Sequence, residues 1–484
     1  MGSSELKDKA AKGIFWGGFS NGAQQILNLI FGIFLARLLS PGDYGVIGML
    51  SIFTLIAGSI QDSGFSAALI NEKEDNHENM CSVFWFNITM SFILYLILYF
   101  CAPLIAKFYH NPDLIQLSRY LFISLFISSF SCVQGAYLTK HLMIKERAIA
   151  SLTATVISGC VGIYMAFKGF AYWGIATQTI TYSTVVVICM WYFSPWRPSF
   201  RFSFKPIKRM FTFSCKLLIT SIFTHINNNI FSVILGRLYN AREVGNYSQA
   251  NKWNNMGSDL ISNMISGVSR PVLAGVNDDR ERQLRIFRKM IRFTAFCSFP
   301  AMFGLALVAP EFITVAITDK WIDSAQIMRI LCIGGAFLPI SSLFSSLVIS
   351  NGKSDTYMLC TVILGILQTA MLVLMKDFGI RYMLWAYTAL NILWVLVWNI
   401  SCKHLIGYGI GHFIMDIAPY IAISAAIMFL TFFCTKGISN VYILLPGRVI
   451  MAASMYCLVM WASKAATFKE SVLYLTSLVK RGNQ

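Results

Sequence analysis

The sequence predicts an all-α polytopic membrane protein with about fourteen transmembrane helices, and three observations support this. Of the 484 residues, 56% are hydrophobic and only 13% are charged, whereas soluble domains carry about 25% charged residues. Apolar stretches of about 20 residues, the length that spans a bilayer, recur along the whole chain. A pattern of residues also repeats after 200 positions. Together these features exclude an ordinary soluble enzyme and a disordered chain.

Fourteen apolar stretches are long enough to span a membrane. The segments between them are short, and the two longest, 195–209 and 270–292, are too short for a catalytic domain. The first stretch exceeds the apolar core of a signal peptide, so we interpret it as a retained span. The predicted spans cover residues 13–36, 46–66, 82–106, 116–138, 149–167, 171–193, 211–236, 246–267, 292–310, 325–349, 356–375, 382–402, 413–434 and 442–463.

The charge distribution predicts the orientation in the membrane. The formal net charge is +17, from 39 Lys and Arg against 22 Asp and Glu. With the N-terminus in the cytoplasm, basic residues favour the cytoplasmic segments by about two to one, as the positive-inside rule requires. An even number of spans then places both termini in the cytoplasm. We interpret the basic run 279–292 as a helix on the cytoplasmic surface that contacts lipid headgroups and leads into the ninth span.

An internal repeat relates the two halves of the chain at an offset of 200 residues. The first copy contains Ile26, Asn28, Ile30, Phe31, Leu35, Arg37, Leu38 and Gly45, and the second repeats them as Ile226, Asn228, Ile230, Phe231, Leu235, Arg237, Leu238 and Gly245. Apolar composition explains the Ile and Leu matches, but not Asn, Arg and Gly together. Six spans, an even number, separate the copies. We therefore expect parallel halves related by an axis along the membrane normal, as in many transporters.

The repeat also predicts the domain organisation. Two pseudo-symmetric six-helix lobes cover residues 1–193 and 211–402, and a cytoplasmic linker, residues 194–210, joins them. Residues 403–484 lie outside the repeat and contain the thirteenth and fourteenth spans and a cytoplasmic tail. In repeat transporters the substrate site lies between the halves.

Polar residues inside the spans indicate where a substrate would bind, since such residues are costly in hydrocarbon. Each set falls on one helical face by its spacing of three, four and seven residues. These faces predict a water-filled cavity between the lobes. The candidate residues are Asn21, Gln25 and Asn28 on the first span, His225 and Asn228 on the seventh, and Lys252, Asn255, Asp259 and Asn263 on the eighth.

A second interpretation of the same amides is that they hold helices together, since Asn and Gln often bridge helices in membranes. His225 is either a core histidine or a titratable group near the midplane. Lys252 and Asp259 lie two helical turns apart, about 10 Å by the rise per residue, which is too far for a direct ion pair. Arg270 lies five turns beyond Lys252 and is expected at the cytoplasmic mouth of the cavity. Arg37 and Arg237 are expected to cap the ends of their own helices.

The sequence lacks the motifs of ATP hydrolysis and of zinc peptidases. It contains no GxxxxGK[ST] or HExxH motif, which excludes the sites that depend on them. Its 12 cysteines form no CxxC pair. We therefore expect no enzyme activity, no cofactor and no metal site.

Several segments resemble a known family of transporters. They are residues 35–45 (LARLLSPGDYG), 62–70 (DSGFSAALI), 244–250 (VGNYSQA) and 319–321 (DKW), and Pro339 with residues 351–355 (NGKSD). This pattern resembles the Wzx-type polysaccharide flippases, especially the colanic-acid and teichuronic-acid exporter branch. That branch belongs to the multidrug/oligosaccharidyl-lipid/polysaccharide exporter superfamily, which includes multidrug extruders and the lipid II flippase.

The resemblance implies alternating access and a cargo of undecaprenyl-diphosphate-linked oligosaccharide for polysaccharide or lipopolysaccharide biosynthesis. It places the protein in the bacterial cytoplasmic (inner) membrane. The expected partners are this cargo, membrane lipids, a coupling proton or sodium ion, and a polysaccharide polymerase, with no nucleic acid. The site residues rest on the polar faces alone, because the family offers no fixed motif to match them.

Two other functions remain open at this point. A multidrug/cation antiporter of the same fold would favour an acidic, aromatic cavity, and Lys252 opposes it. A membrane-embedded glycosyltransferase or polymerase would need an acidic or metal-bearing site on a sizeable loop, and the predicted outer loops are short.

Overall fold

The computed structural model describes residues 3–62, 65–72, 76–463 and 468–469. Throughout these residues the regular structure is helical and contains no β-strand, which confirms the predicted fold class. The chain divides into two compact units, Met1–Gly245 and Asn246–Gln484. The predicted lobe boundaries at residues 193 and 211 stay a prediction.

The first unit contains ten helices in the described residues and the start of an eleventh. Asn76 caps the N-terminus of the long fourth helix by accepting hydrogen bonds from the backbone N–H groups of Glu78 and Asn79, which have no partner within the helix. The helices are α1 (Ser3–Leu38), α2 (Pro41–Asp62), α3 (Phe65–Asn71), α4 (His77–Tyr109), α5 (Leu114–Leu121), α6 (Ile123–Ser129), α7 (Cys132–Lys140), α8 (Ile144–Phe167), α9 (Tyr172–Phe193) and α10 (Phe204–Leu238).

The predicted fourth span is broken rather than straight. The stretch Leu114–Ser129 meets Cys132–Lys140 at a bend of 43°. Three serines lie at the break, and each hydroxyl donates to a carbonyl three residues earlier in the chain: Ser128 to Leu125, Ser129 to Phe126 and Ser131 to Ser128. Such local bonds compete with the helical hydrogen bonds and bend helices.

The last turn of α10 packs against α2 and α4 within the first unit. A Cβ added to Gly236 would lie 2.8 Å from the ring of Tyr109 on α4 and 3.0 Å from the side chain of Met49 on α2. Arg237 donates to the backbone oxygen of Phe108 at 2.7 Å and to the ring of His110 at 2.8 Å. The arginine predicted to cap its own helix therefore binds the C-terminal end of α4.

The two copies of the repeat turn in the same way. Helix α1 ends at Leu38 and α2 begins at Pro41, while α10 ends at Leu238 and α11 (Ala241–Ala274) begins at Ala241. Ser40 and Asp43 form a capping box, since the Asp43 carboxylate accepts from the Ser40 N–H at 2.9 Å and the Ser40 hydroxyl accepts from the Asp43 N–H at 3.3 Å. Asn240 accepts from the Glu243 N–H at 3.0 Å.

The first turns of α2 and α11 touch at equivalent glycines. A Cβ added to Gly45 would overlap the backbone of Ala241, and a Cβ added to Gly245 would overlap the backbone of Pro41. Each glycine thus lies on the first residue of the other copy's helix. Only glycine permits so close a backbone approach.

The second unit contains the rest of α11 and eight further α-helices in the described residues. Helix α12 packs against α14, α15, α17 and α18, and its Phe287 makes edge contacts with Phe344 at 5.4 Å and Tyr408 at 5.2 Å. The helices are α12 (Arg280–Leu307), α13 (Ala309–Ile317), α14 (Ile322–Gly335), α15 (Leu338–Ser350), α16 (Ser354–Leu374), α17 (Ile380–Ile406), α18 (Ile410–Cys434) and α19 (Val441–Ala462).

The predicted count of fourteen spans is not confirmed. In the described residues, eleven helices are long and apolar enough to cross a membrane, or up to twelve if the bent pair is one span. The predicted first and eighth spans are not among them. Both exist as long helices, α1 with 36 residues and α11 with 34, but their polar residues lower the mean hydropathy.

Candidate substrate-binding site

Helix α11 is a membrane-length helix with charged groups in its middle. It runs without a break from Ala241 to Ala274, so Lys252 and Arg270 share one helix, as predicted. The Lys252 side chain is half-buried, and its ammonium lies 5.8 Å from the centre of the Trp253 ring. Trp253 is buried and packs edge-on against Phe312 at 4.9 Å. This cation–π contact supports the charge without neutralising it.

The other predicted residues of α11 become more exposed with distance from Lys252. Asn255 is half-buried and accepts a hydrogen bond from the Asn254 side chain at 3.2 Å. Asp259, Asn263 and Arg270 are exposed. Among the described residues, neither Lys252 nor Asp259 forms an ion pair. Both charges are therefore available to water or to a ligand.

The amide side chains of α1 fall into two groups: one amide bonds to another helix, and three are exposed. Gln24 donates to the hydroxyl of Thr155 on α8 at 3.2 Å, so this amide holds two helices together. Asn21, Gln25 and Asn28, the three amides predicted to bind substrate, are exposed. Exposure leaves their donors and acceptors accessible, and their role in binding stays a prediction.

The two candidate residues of α10, His225 and Asn228, differ in exposure. Asn228 is exposed and His225 is half-buried. The backbone oxygen of His225 accepts from the Asn229 side chain at 2.9 Å, an ordinary bond one turn along the helix. The two interpretations of His225, a core histidine and a titratable group, therefore both stay open.

The polar residues of α2 are satisfied within the first unit. Ser51 donates to the backbone oxygen of Gly48 at 2.7 Å, and Thr54 donates to that of Leu50 at 3.3 Å. Gln61 is buried and hydrogen-bonds Ser128 at 3.3 Å. Of these three residues Gln61 joins two helices, whereas Ser51 and Thr54 bond to carbonyls of their own helix.

Two buried charge clusters in the second unit were not predicted. Asp416, with a fully buried side chain, accepts hydrogen bonds from Arg288 at 2.9 Å and from Arg292 at 2.7 Å. Arg448 pairs with Glu311 at 2.7 Å and is also buried. The sequence does contain one indication of these clusters. The predicted thirteenth span has a single carboxylate and the predicted fourteenth span a single arginine, and a charge inside a span requires a partner.

The basic run that precedes the ninth span is therefore more than a membrane-surface helix. Its residues from Arg280 onward are the first part of α12, one continuous helix, and two of its arginines bind Asp416.

No group of three or more His, Cys, Asp or Glu side chains suited to a metal ion occurs in the described part of the chain.

The sequence is similar to proteins named for lipopolysaccharide and teichuronic acid biosynthesis. The lipopolysaccharide biosynthesis protein WzxC of Escherichia coli is 23% identical over 363 residues, which cover 72% of each chain. The teichuronic acid biosynthesis protein TuaB of Bacillus subtilis is 23% identical over 426 residues, covering 87% of this chain and 88% of TuaB.

The fold is similar to that of a solved transporter. The lipid II flippase MurJ, in an inward closed conformation, superposes with a TM-score of 0.74 over 96% of this chain and 100% of its own, at 17% sequence identity. A sequence profile described as "Polysaccharide biosynthesis protein" matches residues 34–326, more than half of the chain. The chain belongs to this polysaccharide biosynthesis protein family, in agreement with the resemblance seen in its sequence motifs.

Proposed function

We propose that this protein is a flippase that moves an undecaprenyl-diphosphate-linked oligosaccharide across the bacterial cytoplasmic membrane by alternating access, without catalysing a reaction. One observation of the structure carries the proposal. Helix α11 presents a half-buried ammonium and exposed polar groups along the middle of a membrane-length helix. The family to which the chain belongs, and relatives named for lipopolysaccharide and teichuronic acid biosynthesis, support the substrate class.

The physical task explains why Lys252 matters. A diphosphate cannot cross hydrocarbon alone, because transfer of an isolated charge costs tens of kcal/mol by the Born estimate. An unneutralised ammonium on the path lowers this cost by a charge-assisted contact. We assign that contact to Lys252, whose Trp253 neighbour holds it by a cation–π interaction.

The amides suit the sugar part of the cargo. A primary amide offers both donors and acceptors, and sugar hydroxyls do the same. In our proposal Asn21, Gln25 and Asn28 on α1, Asn228 on α10, and Asn255 and Asn263 on α11 exchange such hydrogen bonds with the oligosaccharide. His225 and Arg270 belong to the same proposed path.

Export assays can test the role of Lys252. Lys252→Ala should reduce polymer export about ten- to hundredfold, since a hydrogen bond to a charged group contributes about 1.5–3 kcal/mol. Lys252→Arg should retain part of the activity because the charge remains. The measurement is surface polymer in cells whose own flippase is deleted, at matched membrane abundance. Lys107→Ala, a change at an exposed lysine at the end of α4, is the control and should export normally. Normal export by Lys252→Ala would contradict the assignment.

Asp259 requires a different role, since it would repel a diphosphate. We propose that it holds a coupling proton or sodium ion, or keeps Lys252 hydrated. Asp259→Asn should then change the dependence of export on the ion gradient more than the affinity for the cargo. Export measured with and without a dissipated proton or sodium gradient tests this. A variant that loses cargo binding but keeps the wild-type gradient dependence would contradict the proposal.

Orientation and partners complete the proposal. We place both termini in the cytoplasm on the distribution of basic residues. A polysaccharide polymerase on the far side would consume the product and draw the cargo outward. A drug-efflux phenotype in place of polymer export would instead support the multidrug/cation antiporter.

A further inference from the structure

The Asp416 cluster contains two arginines and one carboxylate, and therefore carries a net positive charge. Arg288 binds both carboxylate oxygens, with Nε to Oδ2 and Nη2 to Oδ1, each at 2.9 Å. Such a two-point pair neutralises Asp416 by itself. Arg292 then adds a second guanidinium at 2.7 Å, and the Tyr408 hydroxyl donates at 3.2 Å. Two cations on one anion leave an excess of one positive charge.

The excess charge is accessible. The Asp416 side chain is 0% exposed, whereas those of Arg288 and Arg292 are 26% and 46% exposed. Arg292 uses Nε and Nη2 on Asp416, which leaves three of its five N–H donors for another acceptor. Because Asp416 fixes the guanidinium, those donors are held in place before any ligand arrives.

Arg285 extends the positive surface along the same face of α12. It lies three residues before Arg288 and seven before Arg292, the spacing of one helical face. Its side chain is 70% exposed, and its contact with Glu281, itself 90% exposed, is 3.8 Å long. Exposed pairs of this kind contribute little, so Arg285 remains available to an anion.

The cluster lies at a boundary between charged and apolar surface. Asp416 is six residues into α18, about 9 Å along the helix axis from its start. Directly beside the cluster in the chain, Phe293 is 45%, Ile414 53% and Met415 72% exposed. In a membrane-spanning helix, exposed apolar side chains beside a fixed cation match the acyl chains and the phosphate of one lipid.

We propose that Arg292 and Arg285, with Asp416 as the group that fixes Arg292, bind the phosphate of an anionic phospholipid at the Arg280 end of α12. None of its residues is among those proposed to bind the cargo. Arg288 is the residue that holds the fold together here, and Arg292 is the residue that faces the lipid.

The test measures lipid binding to the full-length protein in detergent. Phosphatidylglycerol or phosphatidylcholine is titrated in, and bound lipid is counted by native mass spectrometry. Wild type should prefer phosphatidylglycerol. Arg292→Gln should weaken its binding about tenfold, the effect of one lost charge-assisted contact, and Arg292→Lys should lose less. Arg381→Gln, an exposed arginine at the start of α17, is the charge-matched control and should bind as wild type.

A second variant distinguishes a loss of lipid binding from a loss of folding. Arg285→Gln leaves every contact of Asp416 intact, and it should weaken phosphatidylglycerol binding severalfold without changing the melting temperature. Equal binding of both lipids by wild type, unchanged binding by both variants, or an equal loss in Arg381→Gln would overturn the proposal. Displacement of the lipid by the same concentration of inorganic phosphate would overturn the lipid assignment.

Discussion

The two copies of the internal repeat share the position of the turn between their helices and differ in the polar residues on the helix that follows the turn. The turns that join α1 to α2 and α10 to α11 end and begin their helices at equivalent positions, and they share the arginine and leucine of the last helical turn and the glycine near the start of the next helix. Yet Lys252, Asn255 and Asp259 correspond, 200 residues earlier, to Ile52, Leu55 and Ser59. Ile52 is buried in the first unit. The shared positions build the turn, and the positions that differ carry the two charges proposed to act in transport.

The glycine contact should give the largest effect on stability. Gly245→Ala would place a methyl group in the backbone of Pro41, and Gly45→Ala would do the same at Ala241. Overpacking costs about 1–3 kcal/mol or more, and backbone atoms cannot move aside as a side chain can. Each variant should lower the melting temperature of the purified protein by several degrees and reduce its membrane abundance.

Gly267→Ala is the matched control, because nothing lies within 4 Å of the added methyl group and alanine favours a helix. It should melt at the wild-type temperature or above it. Wild-type melting of both Gly45→Ala and Gly245→Ala would contradict the close contact.

The arginines at the ends of α1 and α10 allow a sharper comparison. Arg237→Gln removes a hydrogen bond to Phe108, the contact with the His110 ring, and a cation–π contact 5.3 Å from the Phe108 ring. The expected loss is about 1–2 kcal/mol, measured as a lower melting temperature.

Lys107→Gln removes a charge at the same end of α4 and should have little effect, because this side chain is exposed. Arg37→Gln reports the contribution of the equivalent position in the first copy. If Lys107→Gln destabilised the protein as much as Arg237→Gln, general electrostatics would explain the result instead of the specific contacts.

The capping residues should give the smallest effects. Ser40→Ala and Asn240→Ala each remove a side-chain acceptor from a helix N-terminus, at a cost of about 1 kcal/mol. Ser40→Asp and Asn240→Asp keep an acceptor and should restore most of the melting temperature. An Asp variant no more stable than its Ala counterpart would show that capping does not determine stability at that turn.

Local sequence patterns predicted the parts of the structure that depend on neighbours in the chain. The spans predicted to end at residues 36 and 236 form helices that end two residues later, at Leu38 and Leu238. The exposed faces of α1 and α11 follow from the spacing of Asn and Gln. The predicted count of fourteen spans was not confirmed, because the polar residues of α1 and α11 lower the mean hydropathy of these two helices.

The features that could not be predicted from the sequence depend on contacts between distant parts of the chain. Asp416 meets Arg288 and Arg292 across more than 120 residues, and periodicity carries no information about which helices become neighbours. The bend between Ser129 and Cys132 also escaped prediction, since an apolar stretch of span length suggests a straight helix until its serines bond to their own backbone.

The meeting of Gly45 with the turn of Gly245 has a consequence for mutation. A Cβ added at Gly45 meets the backbone carbonyl of Ala241, and a Cβ added at Gly245 meets that of Pro41. Every type of residue carries this carbonyl, so no substitution at Ala241 or Pro41 could relieve the overlap. Each glycine is therefore constrained by main chain alone, and a change at one of them cannot be compensated by a change of side chain at the other turn.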